Sequence, residues 1–434
     1  MDEFTLIGVI GVAVLVGLFF TRMPVAYVMA FIGFLGYSYL TSWGAGFKIL
    51  SRDIYQTFSS YGLTLIPLFT FMGYIAHHAG ISARLYEVAY VFFGRIRGGL
   101  AMATVAACSA FGAVCGSATA TAATMAVIGL PEMKRYNYGS RLATGAVAAG
   151  GGLGSLMPPS VVLIIYGILT EQSIGKLFIA GIVPALLTTA LFIVAIFIYC
   201  SIHPDQGPAA EKFGIKAMIT SLGKLWETIL VFVFVMGGLF LGLFTPTKAG
   251  AVGSFCMLVI AMCRGTLSVK GLMAAVNDTL KTSCMVLMLI AGATLFGHFL
   301  ALSRIPLSVA QWVGGLSWPA WSVMTMMCLI YLIGGCFIDA LPLIMLTLPI
   351  FYPIATDLGY DPFWFGVVIV LVTQMGIITP PVGVNAYVVS GLAKEVPLVE
   401  VFRGCIPFLI ALWVALALMI TFPAFVTFLP GIVQ

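Results

Sequence analysis

Gly154-Ser155-Leu156-Met157-Pro158-Pro159-Ser160 and Gly376-Ile377-Ile378-Thr379-Pro380-Pro381-Val382-Gly383 are two copies of one motif, each inside a long stretch without a charged residue. A Pro-Pro step cannot continue a helix. It removes two backbone donors and pushes the residue before each proline out of the α region. At bilayer depth the freed carbonyls are tolerated only where the backbone faces protein, water or an ion. Matching breaks in two halves of a membrane chain point to a transport site.

The surrounding composition sets the class. The 434 residues are 61% hydrophobic and 8% charged, against about 25% charged in soluble domains. Uncharged runs separate Arg97 from Glu132, Arg141 from Glu171, Lys176 from Asp205, Arg304 from Asp339 and Asp361 from Lys394. A span needs about 20 apolar residues, so several of these runs hold a span plus a re-entrant piece. Apolar character on every face, with 48 Gly and 21 Pro, predicts an all-α polytopic membrane protein; barrel strands would alternate. The net charge of +5 suits cytoplasmic loops, and no basic tract is dense enough for nucleic acid. The nine cysteines form no CxxC pair and read as small buried hydrophobes. HExxH, Walker A and GxSxG motifs are all missing, which argues against an enzyme and against ATP hydrolysis by a P-loop. A channel or membrane scaffold remains the alternative to a transporter.

Phe4–Phe20 reads as a retained first span and Gly44–Ser60, with Lys48, Arg52 and Asp53, as an interfacial amphipathic helix. His77-His78 closes the next apolar segment. The pair reads as a membrane-surface feature rather than a metal or proton site, since no third ligand is nearby. The dense run of small and hydroxyl residues from Gly112 to Thr121 predicts a re-entrant hairpin with its tip at Gly116-Ser117, in preference to one closely packed helix. Leu142–Met157 and Ser160–Leu169 are the halves of the first broken helix. Arg264 to Lys281 reads as a wet connection with its own amphipathic helix, ahead of a span over Cys284–Leu302. In the second half Leu316–Ile338 leads to Asp339 and Ala340–Thr356 leads away. Phe363–Ile378 and Val384–Leu392 flank the second break.

Placing Pro158 on Pro380 sets an offset of 222 residues. Held rigid, it also places Gly112 on Gly334, Ser117 on Asp339, Pro131 on Pro353, Tyr138 on Tyr360, Gly154 on Gly376, Pro159 on Pro381 and Ser160 on Val382. The chain therefore carries an internal repeat of a hairpin tip and a broken helix. Carbonyls joined by a hydroxyl (Ser117) or a carboxylate (Asp339) suit a hard cation such as sodium. Half-helix N-termini after each break suit an anionic group, with Ser160 and Asn385 as candidate substrate-binding residues. Asp339 is the one acidic residue between Arg304 and Asp357, and a carboxylate at membrane depth is functional by default.

The same residues carry a family resemblance over essentially the whole chain. Met23-Pro24-Val25-Ala26, Gly116-Ser117-Ala118-Thr119-Ala120, Leu243-Phe244-Thr245-Pro246-Thr247-Lys248-Ala249-Gly250-Ala251 and Thr379-Pro380-Pro381-Val382-Gly383-Val384-Asn385 resemble the large membrane subunit of tripartite ATP-independent periplasmic (TRAP) transporters. The resemblance implies an elevator-type transporter of the bacterial inner membrane with two inverted repeats. It divides the chain into scaffold helices and an interfacial arm (1–97), transport-domain repeat 1 (98–176, hairpin 98–130, broken helix 142–169), scaffold helices and connectors (177–320), repeat 2 (321–400, hairpin 321–356, broken helix 363–392) and a C-terminal scaffold helix (401–434). It implies sodium-coupled import of an organic acid anion, such as a C4-dicarboxylate, sialic acid or related sugar acid. The anion would be delivered by a periplasmic binding protein, and a small membrane subunit would pair with the scaffold. A binding-protein-independent elevator transporter is the alternative. By motif, one sodium site would involve Cys115, Ser117, Gly154, Met157 and Pro158 or Pro159. The other would involve Gly335, Asp339, Gly376, Thr379 and Pro380 or Pro381. Sodium is the coupling ion, and no organic cofactor is implied. The family usually has Ser-Gly-Ser at the first tip, where this chain has Cys115-Gly116-Ser117; a thiol is a poorer sodium ligand than a hydroxyl.

Overall fold

The computed structural model describes residues 3–19, 21, 23–211, 213–315 and 318–432. Phe20, the last residue of the expected first span, lies outside them. The chain opens with α1 (Glu3–Phe19), α2 (Val25–Leu40), α3 (Trp43–Ser59), α4 (Leu65–His78) and a connector, α5 (Ile81–Phe93). The first hairpin is α6 (Gly99–Cys115) with α7 (Ala118–Arg135), and the first broken helix is α8 (Ser140–Leu156) with α9 (Val161–Leu169). Then come α10 (Ile174–Ile202), α11 (Ile215–Leu222), α12 (Trp226–Phe240), α13 (Pro246–Cys263), α14 (Val269–Leu302) and a second connector, α15 (Ile305–Gly315). The second hairpin is α16 (Ala320–Gly335) with α17 (Ala340–Asp357), and the second broken helix is α18 (Pro362–Gly376) with α19 (Val384–Leu392). α20 (Leu398–Thr421) and α21 (Ala424–Ile432) complete the order.

Among the described residues seven helices are long and apolar enough to cross a bilayer, counting α8 and α9 as one, and the α3–α4 pair, bent by 55°, adds an eighth. The 17 residues of α6 reach about 26 Å at 1.5 Å per residue, short of a hydrocarbon core of about 30 Å. That length suits a helix that enters and turns back. Polar side chains begin many of these helices by accepting a first-turn N–H: Ser117 for α7, Ser160 for α9, Ser173 for α10, Thr245 for α13, Asp339 for α17 and Asp361 for α18. Each supplies a bond that lipid cannot.

The helices pack as two bodies. A frame is built by α2 on α14, α4 on α13 and α14, and α12 on α13. A hairpin body is built by α8 against α6, α7 and α20, and by α18 against α16. The bodies meet where the connector α5 and α4 lie on α6 and where the connector α15 and α14 touch α17. The expected boundaries placed 177–320 and 401–434 with the scaffold, but α10 and α20 pack with the hairpin body. Thr189 of α10 donates to Ser109 at 3.0 Å, Trp364 Nε1 of α18 donates to the Met419 carbonyl at 2.9 Å, and Phe192 and Phe408 meet edge to face at 5.2 Å. At Gly145 and Gly404 the backbones of α8 and α20 touch so closely that a Cβ on either glycine would strike the other helix.

A second difference concerns α14. The expected wet connection and the following span form one continuous helix of 34 residues. Its start is capped by Ser268, which accepts from Gly271 N at 3.0 Å. Nothing between Lys281 and Cys284 breaks a helix, and Thr282 there meets the Tyr74 hydroxyl of α4 at 2.9 Å.

The connector α5 is fastened to the frame through a buried carboxylate. Glu227 of α12 is 2% exposed and accepts from Arg84 Nη2 at 3.0 Å, while Arg264 forms a second ion pair with it. Lys224 pairs with Glu87 one turn further along α5. Breaking a buried pair leaves an uncompensated charge. Glu227→Ala is expected to lower stability by about 3 kcal/mol, and Glu227→Gln by less because it keeps an acceptor. Thermal unfolding in detergent checks this; wild-type melting of both variants would remove the triad from the account of the connector.

Candidate functional site

Each hairpin tip rests on the break of its own broken helix. In the first copy α6 ends at Cys115, and Gly116 turns the chain with φ +66°, a conformation an L side chain resists. Ser117 then caps α7. Across from it α8 stops at Leu156, the Pro158–Pro159 bond is cis, and Ser160 caps α9 while donating to the Ser155 carbonyl. The junction is closed by Val161 N–H donating to the Gly116 carbonyl at 3.3 Å. Close approach depends on a glycine: a Cβ at Gly154 would lie 2.5 Å from the Ser117 carbonyl oxygen and would strike Thr121 Oγ1. The carbonyl of Ser117 and the Thr121 hydroxyl thus converge on Gly154. Thr121 is fully buried, and its Oγ1 has no hydrogen-bond partner. A buried hydroxyl without a partner is costly, and this one lies where a cation was expected.

The second copy has the same joint with different furniture. Gly383 N–H donates to the Cys336 carbonyl at 3.0 Å, and a Cβ at Gly376 would lie 2.5 Å from the Gly335 carbonyl carbon. Asp339 caps α17, its Oδ1 accepting from Ala340 N at 2.8 Å, and no Lys or Arg pairs with it among the described residues. Thr379 donates to the Met375 carbonyl at 2.6 Å. Pro380–Pro381 is also cis. The two breaks differ in access: Met157 to Ser160 are buried, whereas Pro380, Pro381 and Val382 are exposed.

The rigid offset holds for the helices but not for the loops between them. Ala118 and Ala340 begin α7 and α17, and Ser140 and Pro362 begin α8 and α18, all 222 apart. The second tip, Cys336 to Asp339, is two residues longer than Gly116-Ser117. Gly335, the glycine expected in the second site, faces Gly376, whereas the rigid offset pairs Gly112, which faces Gly154, with Gly334. After the break the offset grows by one residue, so the counterpart of the Ser160 cap is Gly383, with φ +55°, rather than Val382. Loop residues are added without disturbing the packed helices on either side.

Ser160 and Asn385 have no exposed surface in this conformation. They belong to a polar seam between the two broken helices. Asn385 Nδ2 donates to the Ala148 carbonyl at 3.1 Å, and Gln374 Nε2 donates to Ser155 Oγ at 3.2 Å. Asn385 Oδ1 is buried without a partner. Thr121, Ser155 and Gln374 were not singled out from sequence. Gln374 had a legible signal, as the one glutamine in the uncharged run from Asp361 to Lys394. Thr121 lay within the small-residue run, indistinguishable there from Thr119.

His77 and His78 point to different partners. His77 Nδ1 lies 3.1 Å from Thr124 Oγ1 of α7, and His78 Nε2 lies 3.1 Å from Asp278 Oδ2 of α14. Among the described residues no group of three or more metal-ligating side chains is assembled.

The family model described as the DctM component of the tripartite ATP-independent periplasmic transporter matches residues 12–425. A C4-dicarboxylate TRAP transporter large permease protein of Pseudomonas aeruginosa is 35% identical over 385 residues, covering 88% of this chain and 90% of the relative. A sialic acid TRAP transporter large permease protein of Vibrio cholerae is 32% identical over 415 residues, covering 95% of this chain and 96% of the relative. The fold is similar to that of the YdaH transporter of Alcanivorax borkumensis, with a TM-score of 0.59 at 15% identity over 87% of this chain and 90% of that one. Matched along nearly its whole length to the family model and to proteins named as permeases, this multi-pass inner-membrane protein belongs to the DctM family of tripartite ATP-independent periplasmic transporters.

Proposed function

We propose that the chain is the sodium-coupled permease of a transporter that imports an organic acid anion by an elevator motion of the hairpin body against the frame. The observation that carries this reading is the duplicated joint of tip on break, at Gly116–Val161 and Cys336–Gly383. Each joint gathers backbone oxygens beside one anionic or hydroxyl side chain, a donor set that suits a hard monovalent cation. To the first we assign Cys115, Ser117, Gly154, Met157 and the Pro158-Pro159 step, with the Thr121 hydroxyl beside Gly154. We assign Cys115 to the site through its backbone, so that its thiol need not coordinate. In the second, Gly335, Asp339, Gly376, Thr379 and the Pro380-Pro381 step form the counterpart. A cation at either joint would hold tip and break together and offset the charge of the anion. Apart from the connectors α5 and α15, the two bodies share few contacts, which supports relative motion.

The relatives differ in what their names say they carry, a C4-dicarboxylate or sialic acid. The substrate class proposed here is therefore an organic acid anion, with a C4-dicarboxylate or a sialic or related sugar acid as its members. Delivery by a periplasmic binding protein and pairing with a small membrane subunit belong to the same proposal. Ser160 and Asn385 stay within it as residues that reach substrate only if the seam around them opens.

Proteoliposomes containing the permease, its small subunit and loaded binding protein are expected to accumulate labelled anion when a sodium gradient is imposed. Accumulation that survives collapse of the gradient would refute the coupling. Ser117→Ala, Asp339→Ala and the nearly isosteric Thr121→Val are each expected to raise the half-saturating sodium concentration about 10-fold, the order of one lost bond to a charged group. Thermal unfolding should shift little in Thr121→Val. Wild-type sodium dependence in all three variants would dismiss these assignments.

A further inference from the structure

Two cavities lie between the frame and the hairpin body, and their chemistry differs. One, of about 670 Å³, lies beside the second tip. Its lining is apolar except for Thr347, whose hydroxyl is already engaged, donating to the Leu343 carbonyl and lying 2.7 Å from the Tyr331 hydroxyl. The other, of about 390 Å³, lies beneath the first tip. Cys115 borders it, Ala120, Ala123 and Thr124 of α7 form one wall, and Tyr74 and His77 of α4 form the facing wall. Mostly apolar walls with a few placed polar groups are the usual make-up of a small-molecule site. The residues expected to meet substrate, Ser160 and Asn385, are walled in, so an anion reaching the hairpin body in this conformation meets other groups first.

His77 is set up as such a group. Thr124 is buried, and its hydroxyl makes no other hydrogen bond among the described residues. In the tautomer that takes the Thr124 proton at Nδ1, the ring carries its own proton on Nε2, which makes no hydrogen bond among the described residues. The charged and titratable groups around the ring are accounted for. Asp278, which also lines the cavity, is held by His78 at 3.1 Å, and Tyr74 is joined to Thr282 at 2.9 Å. Cys115 is a free thiol. The first sodium joint, at Cys115 and Ser117, adjoins the cavity, which would place a cation beside a bound carboxylate.

We propose that the cavity between α4 and α7 receives the carboxylate-bearing anion, and that His77, on the frame, is its positioning residue. This rests on the transport reading above. The contact joins the anion to both bodies at once, since His77 belongs to α4 while Cys115 and Thr124 move with the hairpin body. A frame residue in contact with cargo would sense whether the hairpin body is loaded.

Cys115 provides the test. The purified permease complex in liposomes with sodium is treated with N-ethylmaleimide, and alkylation of the Cys115 peptide is followed by mass spectrometry. The exposed Cys284 serves as internal reference. Succinate and N-acetylneuraminate are the probes. The transported one is expected to slow Cys115 alkylation at least 3-fold and leave Cys284 unchanged. His77→Ala should raise the concentration for half-protection about 10-fold, and His77→Gln, which keeps a donor at similar reach, should stay within about 3-fold of wild type. The half-saturating sodium concentration for uptake should be unchanged in both. If the same liposomes accumulate the anion under a sodium gradient while Cys115 alkylation ignores it, or while His77→Ala protects like wild type, this site is overturned and the transport reading stands. If the wild-type liposomes show no sodium-driven uptake, the transport reading itself falls, and this site with it.

Discussion

Two backbone carbonyls, those of Gly116 and Cys336, accept the N–H groups of Val161 and Gly383, and the architecture follows from that demand. A Pro-Pro step leaves helix-end groups that hydrocarbon cannot satisfy. The chain meets the demand by bringing a second non-helical turn, the hairpin tip, against the first. The approach is close enough that Gly154 and Gly376 cannot carry a side chain without displacing the facing backbone. Once the two irregular pieces are joined, the Ser117 carbonyl and the Thr121 hydroxyl come to lie against Gly154, and the proposed cation site draws on the same geometry.

The two joints are built alike but situated differently. Around the first, Met157 to Ser160 are buried and the frame presses on the tip, with Gly73 of α4 so near that a Cβ there would lie 2.8 Å from Cys115 Cα. Around the second, Pro380 to Val382 are exposed and the neighbouring cavity is apolar. Unequal surroundings give equal backbone machinery unequal access. Between the joints runs the seam of Ser155, Gln374 and Asn385, whose hydrogen bonds cross between residues more than 200 positions apart. That seam ties the halves into one body; α20 is drawn to it by the touching glycines of α8 and α20, and α10 by Thr189 on Ser109 and Phe192 on Phe408.

The breaks, the tips and the hairpins at 99–135 and 320–357 were legible because they are local: proline geometry, a run of small residues and a charge-free stretch each act over a few positions. The repeat was legible wherever helices set the spacing. The rigid offset slipped at the loops, where it pairs Gly112 with Gly334 although Gly335 faces Gly376, and Ser160 with Val382 although Gly383 is its counterpart, since an added loop residue leaves no trace in hydropathy. The continuity of α14 was missed because a few charges near its start look the same on a separate interfacial helix as on the first turns of a long one.

From the sequence alone came the class of the protein, the two breaks, the two tips and the candidate ligands Ser117 and Asp339, since all of these follow from what backbone and charge can do inside a bilayer. Tertiary structure alone decided which helices pack together, that Thr121 lies against Gly154 at the first joint, that Ser160 and Asn385 are enclosed, and that His77 faces a cavity. Those depend on contacts between residues far apart in the chain. A lone threonine or histidine in an apolar segment takes its role from whatever is packed against it.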